Sequence, residues 1–74
     1  MERQEFQIGE TAYLIDLDMR FFEERIQRIS LRYDGKTIEY ETVDGLEFTN
    51  EDIGDTVFKS EESRESFLIN VILN

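Results

Sequence analysis

The sequence contains no cysteine, histidine, proline or tryptophan. Without cysteine the chain forms no disulfide, and thiolate metal sites and cysteine nucleophiles are excluded. Without histidine it lacks the usual general base near neutral pH and the commonest zinc ligand. The core that 74 residues build also leaves little room to bury and perturb a carboxylic acid. We therefore expect a protein that is not an enzyme and that carries no metal and no cofactor.

Basic residues are also scarce. Eighteen Asp and Glu oppose eight Lys and Arg, which gives a formal charge of −10. Nucleic acids and anionic membranes repel a chain this negative, so neither is expected as a direct partner. The excess of acidic residues has two interpretations. They keep a small domain soluble, or they imitate a nucleic-acid backbone and occupy a basic groove on another protein.

Long apolar runs are missing too. The first ten residues, MERQEFQIGE, contain none, so we expect no signal peptide and no transmembrane span. The sequence therefore predicts a single soluble domain over residues 1–74, located in the cytoplasm.

Two Asp-Gly pairs divide a run of alternating residues into three predicted strands within residues 31–48. A two-residue type I′ turn at Asp34 and Gly35 sets apolar residues against apolar ones across the first hairpin. The opposing pairs are then Leu31 with Ile38, Ile29 with Tyr40, Ser30 with Glu39, and Arg28 with Glu41. A slip by one residue would expose the whole apolar set, so we expect this register to be well specified.

The second hairpin needs a longer loop. A two-residue turn at its Asp-Gly pair sets the apolar face against the polar one, whereas a three-residue loop of Val43, Asp44 and Gly45 corrects this. The longer loop pairs Tyr40 with Phe48, and Gly45 takes the left-handed conformation that closes such loops. The sequence thus predicts a three-stranded meander with one apolar face.

One further strand is predicted before the meander, and the meander's own first strand begins well before Ile29. Residues 11–18 alternate like a strand. This strand carries Ala12 and Leu14 on one face and Tyr13, Ile15 and Leu17 on the other. The next strand is long, and its apolar residues Ile26 and Ile29 lie three apart, which breaks strict alternation. We predict that a β-bulge absorbs this slip and bends the strand.

The last third of the chain predicts a turn, a short strand and a helix. Ile53 is expected to point inward from the turn, and residues 56–59 form the short strand. Ser60 then caps a helix over residues 60–73, with acids in its first turn, where they suit the helix dipole. The residues expected to pack on the sheet are Phe67, Leu68, Val71 and Ile72. Because short apolar runs separate helix from strand poorly, a final strand within residues 67–73 stays open.

Two motifs lie near the ends of the chain: FQIGETAYLID, residues 6–16, and DTVFKSEESRESFL, residues 55–68. They resemble the start and the end of small SH3-like β-barrel proteins carried by phages and mobile elements of Gram-positive bacteria. The matching positions are Phe6, Ile8, Gly9, Glu10, Tyr13, Phe58, Ser60, Glu61 and Glu62, whereas Ala12 and Ser63 depart from the family pattern. The resemblance implies a fold and a mobile-element setting rather than a chemistry.

Together, the elements and the resemblance predict a mainly β protein. We expect a small, strongly bent antiparallel sheet, an SH3-like barrel of about five strands. The C-terminal helix, residues 60–73, covers one open end of this barrel.

Three non-enzymatic functions remain open for such a domain. The first is a protein-interaction module that binds the surface of a host protein. The second is an acidic mimic of nucleic acid that inhibits a host defence nuclease of the restriction or CRISPR type. The third is a structural homodimer with no further partner.

Candidate contact residues follow from residue type and charge. They comprise an aromatic patch of Tyr13, Phe21 and Tyr33, the apolar residues Ile69 and Leu73 on the helix, and an acidic rim of Glu39, Glu41, Glu47, Glu51, Asp52 and Asp55. The aromatic residues have a second interpretation, in which they close the ends of the barrel.

Overall fold

The computed structural model describes residues 2–73, which form five strands, one 3-10 turn and one helix. The elements are β1 (Thr11–Ile15), β2 (Phe21–Leu31), β3 (Ile38–Thr42), β4 (Glu47–Thr49), the 3-10 turn (Asn50–Asp52), β5 (Val57–Phe58) and α1 (Glu61–Leu73). The strands run antiparallel in the order β4-β3-β2-β1-β5, and the sheet curls strongly into a half-barrel. This confirms the predicted mainly β fold with a C-terminal helix.

The long strand β2 pairs with two neighbours and is interrupted near its middle by an irregularity in register. Its first half pairs with β1, and its second half pairs with β3. Ile26 lies opposite Thr42 and Arg28 lies opposite Glu41, so Gln27 is an extra residue in the ladder. This is the predicted β-bulge, and such bulges bend a strand and increase its twist.

The register across both hairpins is the predicted one. The observed pairs are Leu31 with Ile38, Ser30 with Glu39, Ile29 with Tyr40, Arg28 with Glu41, and Tyr40 with Phe48. In the second loop the Gly45 amide donates to the Thr42 carbonyl at 3.0 Å, and Gly45 has a φ of 89°. The alternation of apolar and polar residues therefore specifies both registers.

The first turn differs from the predicted type I′. That turn requires positive φ at both central residues, whereas Met19 is the only non-glycine residue with positive φ within residues 2–73. The Asp34 carboxylate accepts hydrogen bonds at 2.8 Å from the backbone amides of Lys36 and Thr37, and at 2.6 Å from the Thr37 hydroxyl. These bonds stabilise a turn in which Asp34 has a negative φ, so the type I′ prediction is wrong.

The concave face of the half-barrel holds the main core. Its buried members are Phe6, Ala12, Leu14, Ile26, Ile38, Tyr40, Phe48 and Val57, with Phe22, Ile29 and Ile53 packed against them. Phe6 comes from the N-terminal segment and packs edge-on against Tyr40 and Phe48, with ring centroids 5.5 and 5.6 Å away. Ile53 points inward from its turn, as predicted.

Tyr40 ties the N-terminal segment to the turn that follows β4. Its hydroxyl donates to Asn50 Oδ1 at 2.6 Å and accepts from the Glu5 amide at 2.9 Å. Asn50 Nδ2 in turn donates to the Arg3 carbonyl at 2.7 Å. Because the Tyr40 side chain is fully buried, its hydroxyl needs such partners. The same bonds hold Phe6 over the core.

β1 ends at Ile15, short of the predicted end at Asp18. The Asp16 carboxylate accepts hydrogen bonds at 2.9 Å from the backbone amides of Asp18 and Arg20, and these bonds turn the chain. Leu17 therefore leaves the strand face predicted for it and is fully exposed, at 101%.

Helix α1 begins and continues as predicted. The Ser60 hydroxyl accepts a hydrogen bond from the Ser63 amide at 3.1 Å, which makes Ser60 the N-cap. The helix runs without a break to residue 73, so the alternative of a final strand within residues 67–73 is wrong.

The packing of α1 differs from the prediction. Phe67 and Leu68 are half-buried, whereas Val71 and Ile72 are 50% and 71% exposed. The apolar side chains between residues 67 and 73 surround the helix rather than forming one stripe, because consecutive residues are about 100° apart. A single layer of the sheet therefore covers only some of them.

The turn at Asp34 predicts a specific dependence of stability on pH. Hydrogen bonds from the Thr37 hydroxyl and from the amides of Thr37 and Lys36 lower the pKa of Asp34 to about 2. A folded pKa below the unfolded value of about 3.9 contributes stability that is present above about pH 4 and is lost as the pH falls towards 2. Asp34→Asn should reduce the pH dependence of the free energy of unfolding over this range. Urea denaturation at each pH measures this dependence.

The control is Asp44→Asn in the second hairpin, a residue for which no hydrogen bond of the carboxylate is found within the described chain. It removes one negative charge without touching the Asp34 bonds, so most of the slope should remain. An equal reduction of the pH dependence of stability by both substitutions would show that net charge, rather than these bonds, produces it.

Candidate protein-binding surface

Helix α1 packs on the outer face of the sheet, on the side opposite the main core. Tyr13 and Ile15 alternate with the core residues of β1 and so point to this outer face. Phe58 pairs with Tyr13 across β5 and β1 and contacts Phe67 of α1, with ring centroids 5.3 Å apart. A second, smaller layer of side chains therefore lies between α1 and the β5-β1-β2 part of the sheet.

Arg64 is the buried centre of this second layer, with only 5% of its surface exposed. Its Nη1 atom donates to Glu23 Oε2 at 2.9 Å, to the Phe22 carbonyl at 3.1 Å and to the Leu14 carbonyl at 3.4 Å. Its Nε atom is buried without a hydrogen-bond partner among residues 2–73. The Glu23 ion pair offsets this burial, because a charge taken out of water needs a partner of opposite sign.

Two of the predicted contact aromatics form the surface on which Arg64 lies. The guanidinium carbon is 4.1 Å from the Phe21 ring centroid and 5.6 Å from the Tyr13 ring centroid, within the range of cation–π attraction. Tyr13 is half-buried, and Phe21 remains 39% exposed. Both rings therefore support α1, and only part of Phe21 is available to a partner.

Tyr33 does not join these two aromatics. It lies in the β2–β3 turn, beyond the end of β2 that is opposite Phe21, and it is fully exposed, at 110%. At roughly 3.3 Å per residue, the chain between the two residues spans on the order of 40 Å before bending. The three aromatics thus occupy two separate places on the molecule.

The predicted acidic rim is spread over several elements. Glu39 and Glu41 belong to β3, Glu47 to β4, Glu51 and Asp52 to the 3-10 turn, and Asp55 to the turn after it. Arg32 pairs with Glu39 at 2.6 Å, and Arg28 pairs with Glu41 at 2.8 Å. Asp52 accepts a backbone hydrogen bond within its own turn at 3.0 Å. These local partners reduce the negative charge that the rim presents to another molecule.

An apolar groove lies between α1 and the loop that follows β1. Leu17 and Met19 line it from the loop, Phe67 and Val71 line it from α1, and Asp16 and Asp55 supply carboxylates, around a volume of about 260 Å³. This groove does not follow from the sequence, because the predicted strand over residues 11–18 includes Leu17. The available signal is the spacing of Asp16 and Asp18, because an Asp side chain commonly accepts from the amide two residues on.

Other apolar side chains of α1 are exposed outside this groove. Val71 lines the groove, and the predicted contacts Ile69 and Leu73 are 54% and 77% exposed on the same helical segment. Ile72 is 71% exposed between them. Ile69 and Leu73 are each two residues from Val71, about 160° around the helix, so both predicted helix contacts lie on the side of α1 away from the groove.

Comparisons with known proteins do not add to this geometry. A scan against models of known protein families found no match. Searches of curated proteins and of solved structures also found no significant match. The resemblance to SH3-like proteins of phages and mobile elements therefore stays a prediction.

Two further structural findings concern the described residues alone. Within residues 2–73, the single helix is too short and too polar to cross a membrane. In the same part of the chain, no group of three or more acidic side chains is placed to hold a metal ion.

The burial of Arg64 predicts a large effect of its removal on stability. Arg64→Ala leaves a cavity and removes the ion-pair partner of the Glu23 carboxylate. It also removes hydrogen bonds to two backbone carbonyls. Because Glu23 regains water, we expect a loss of about 2–3 kcal/mol, below the range for a fully buried pair. Urea denaturation measures this change in the free energy of unfolding.

Arg32→Ala is the matched control. It also removes an arginine that pairs with a glutamate, but its side chain is 52% exposed. Exposed pairs contribute under about 1 kcal/mol, so the loss should be much smaller. Similar losses for both variants would contradict the assignment of Arg64 as the anchor of α1.

Proposed function

We propose that this chain is a non-enzymatic protein-binding module that binds the surface of a host protein, and that it belongs to a phage or mobile element. The observation that carries the binding role is the apolar groove between the β1–β2 loop and α1. Leu17 is fully exposed at its edge, and Val71 is 50% exposed in its wall. Contiguous apolar side chains on a small, highly charged protein mark an interaction surface.

A partner that covers this groove gains free energy from the burial of its apolar side chains. Burial of apolar surface contributes roughly 25 cal/mol per Å², so fully exposed leucine and isoleucine side chains are strong sources of affinity. Leu17, Met19 and Val71 of the groove have exposed fractions of 101%, 47% and 50%. A partner that covers them gains more per residue than one that covers the acidic outer face of β3.

The mobile-element setting is supported by the resemblance of the two terminal motifs alone. In the fold, Phe6 of the first motif packs in the core, and Gly9 has a φ of 90° in the turn before β1. Ser60 of the second motif caps α1. These positions have structural roles, so the motifs support a fold and a setting and are silent on the identity of the partner.

The acidic mimic and the homodimer are weaker alternatives. Arginine side chains pair with Glu39 and Glu41, which lowers the negative charge where a nucleic-acid mimic would concentrate it. Two copies of a chain with a charge of −10 repel each other, which disfavours self-association.

The test compares capture of host proteins by three tagged versions of the chain. The groove variant, Leu17→Ser with Val71→Ser, removes two exposed apolar side chains from the groove. The control variant, Tyr33→Ser with Val43→Ser, removes two exposed apolar side chains elsewhere, at 110% and 53% exposure. Bound proteins are identified by mass spectrometry after washes at low and high salt.

We expect a host protein that the wild type and the control capture and that the groove variant loses, because the groove supplies the apolar contact. A captured nuclease that the groove variant retains and high salt releases would overturn this function in favour of the acidic mimic. Concentration-dependent dimerisation in sedimentation, with no other protein bound, would overturn it in favour of the homodimer.

A further inference from the structure

We infer that the groove binds a cationic amphipathic helix of the partner protein. This inference rests on the proposed function and adds the chemistry of the bound segment. It follows from the charges around the groove, from the hydrogen bonds of the neighbouring sheet edge, and from the dimensions of the exposed part of α1.

The charges around the groove select a cationic partner. The charged residues that line it are Asp16 and Asp55, and Asp18 is a further exposed acid in the same loop. Arg20 belongs to that loop but does not line the groove. Residues 67–73 of α1 carry no charge, and the whole chain has a charge of −10. Lys and Arg beside an apolar stripe therefore complement both the local and the overall field.

The sheet edge beside the groove favours a helix over an added strand. The carbonyl of Val57 in the edge strand β5 already accepts from the Gly54 amide at 2.7 Å. An extended peptide would compete with this bond to pair with the edge. A helix satisfies its own backbone and needs only side-chain contacts, which this groove offers.

The dimensions of the surface set the length of the contact. The C-terminal part of α1, residues 67–73, which carries the groove residues Phe67 and Val71, is about 10 Å long at 1.5 Å per residue. A helix packed along it presents apolar residues at positions i, i+3 or i+4, and i+7, which is the spacing of helix-in-groove recognition. Basic residues that flank this stripe then lie beside Asp16 and Asp55.

The test uses three synthetic helical peptides of about 15 residues, a length at which isolated helices become stable. All three carry the same leucine stripe, and their flanking positions are all lysine, all glutamine or all glutamate. Fluorescence anisotropy measures their affinity for the full chain at low and high salt. We expect the lysine peptide to bind about fivefold more tightly than the glutamine peptide, with the glutamate peptide weakest, because two exposed ion pairs contribute modestly.

Two double substitutions show which carboxylates produce the preference for the lysine peptide. Asp16→Asn with Asp55→Asn removes the groove carboxylates and should bring the affinities for lysine and glutamine peptides close together. Asp44→Asn with Glu62→Gln changes the net charge equally at exposed sites outside the groove lining, and it should keep the preference. Equal loss of preference in both would overturn the inference, because the overall field would then explain it.

The groove variant, Leu17→Ser with Val71→Ser, separates this inference from the proposed function. We expect it to weaken all three peptides. The wild type could bind the lysine and glutamine peptides with equal affinity, and the groove variant could bind both equally more weakly. That result would support the binding groove and overturn its preference for cations. Peptides that bind all versions of the chain equally would overturn the inference and would count against the groove itself.

Discussion

The contact between Arg64 and the outer face of β1 and β2 decides where α1 lies. Its guanidinium group is buried against the Phe21 ring and donates to Glu23 and to backbone carbonyls. A helix with one apolar stripe would pack that stripe on the sheet, but the apolar residues of α1 are distributed around the whole helix. The arginine therefore fixes the orientation of α1, and the side chains beyond Leu68 remain exposed.

The surface on which Arg64 lies exists because β2 bends. The bulge at Gln27 lets the first half of β2 pair with β1 and the second half pair with β3. Core residues then fill the concave face, while Tyr13, Phe21 and Glu23 remain on the outer face to receive the helix. Phe6 completes the core from the N-terminal side, so the sheet is covered on both faces by segments from the two ends of the chain.

The sequence allows the sheet to be predicted in detail because alternation of apolar residues determines register. The bulge and the loop at Gly45 follow from the same alternation, and Ser60 follows from capping chemistry. The position of α1 does not follow, because an arginine in a polar run gives no sign that its charge becomes buried. The groove is equally hidden, since it depends on the Asp16 turn, which moves Leu17 out of a strand that its apolar character favours.

The central claim is that the groove between the β1–β2 loop and α1 is open in the free protein. Relaxation of methyl protons by a soluble paramagnetic probe tests it most directly, because the effect depends on solvent exposure at each side chain. We predict strong relaxation at Leu17, Val71 and Ile72, comparable to exposed Val43, and weak relaxation at buried Leu14. Weak relaxation at Leu17 and Val71 in the isolated protein would mean that the groove is already covered and that no partner can bind there.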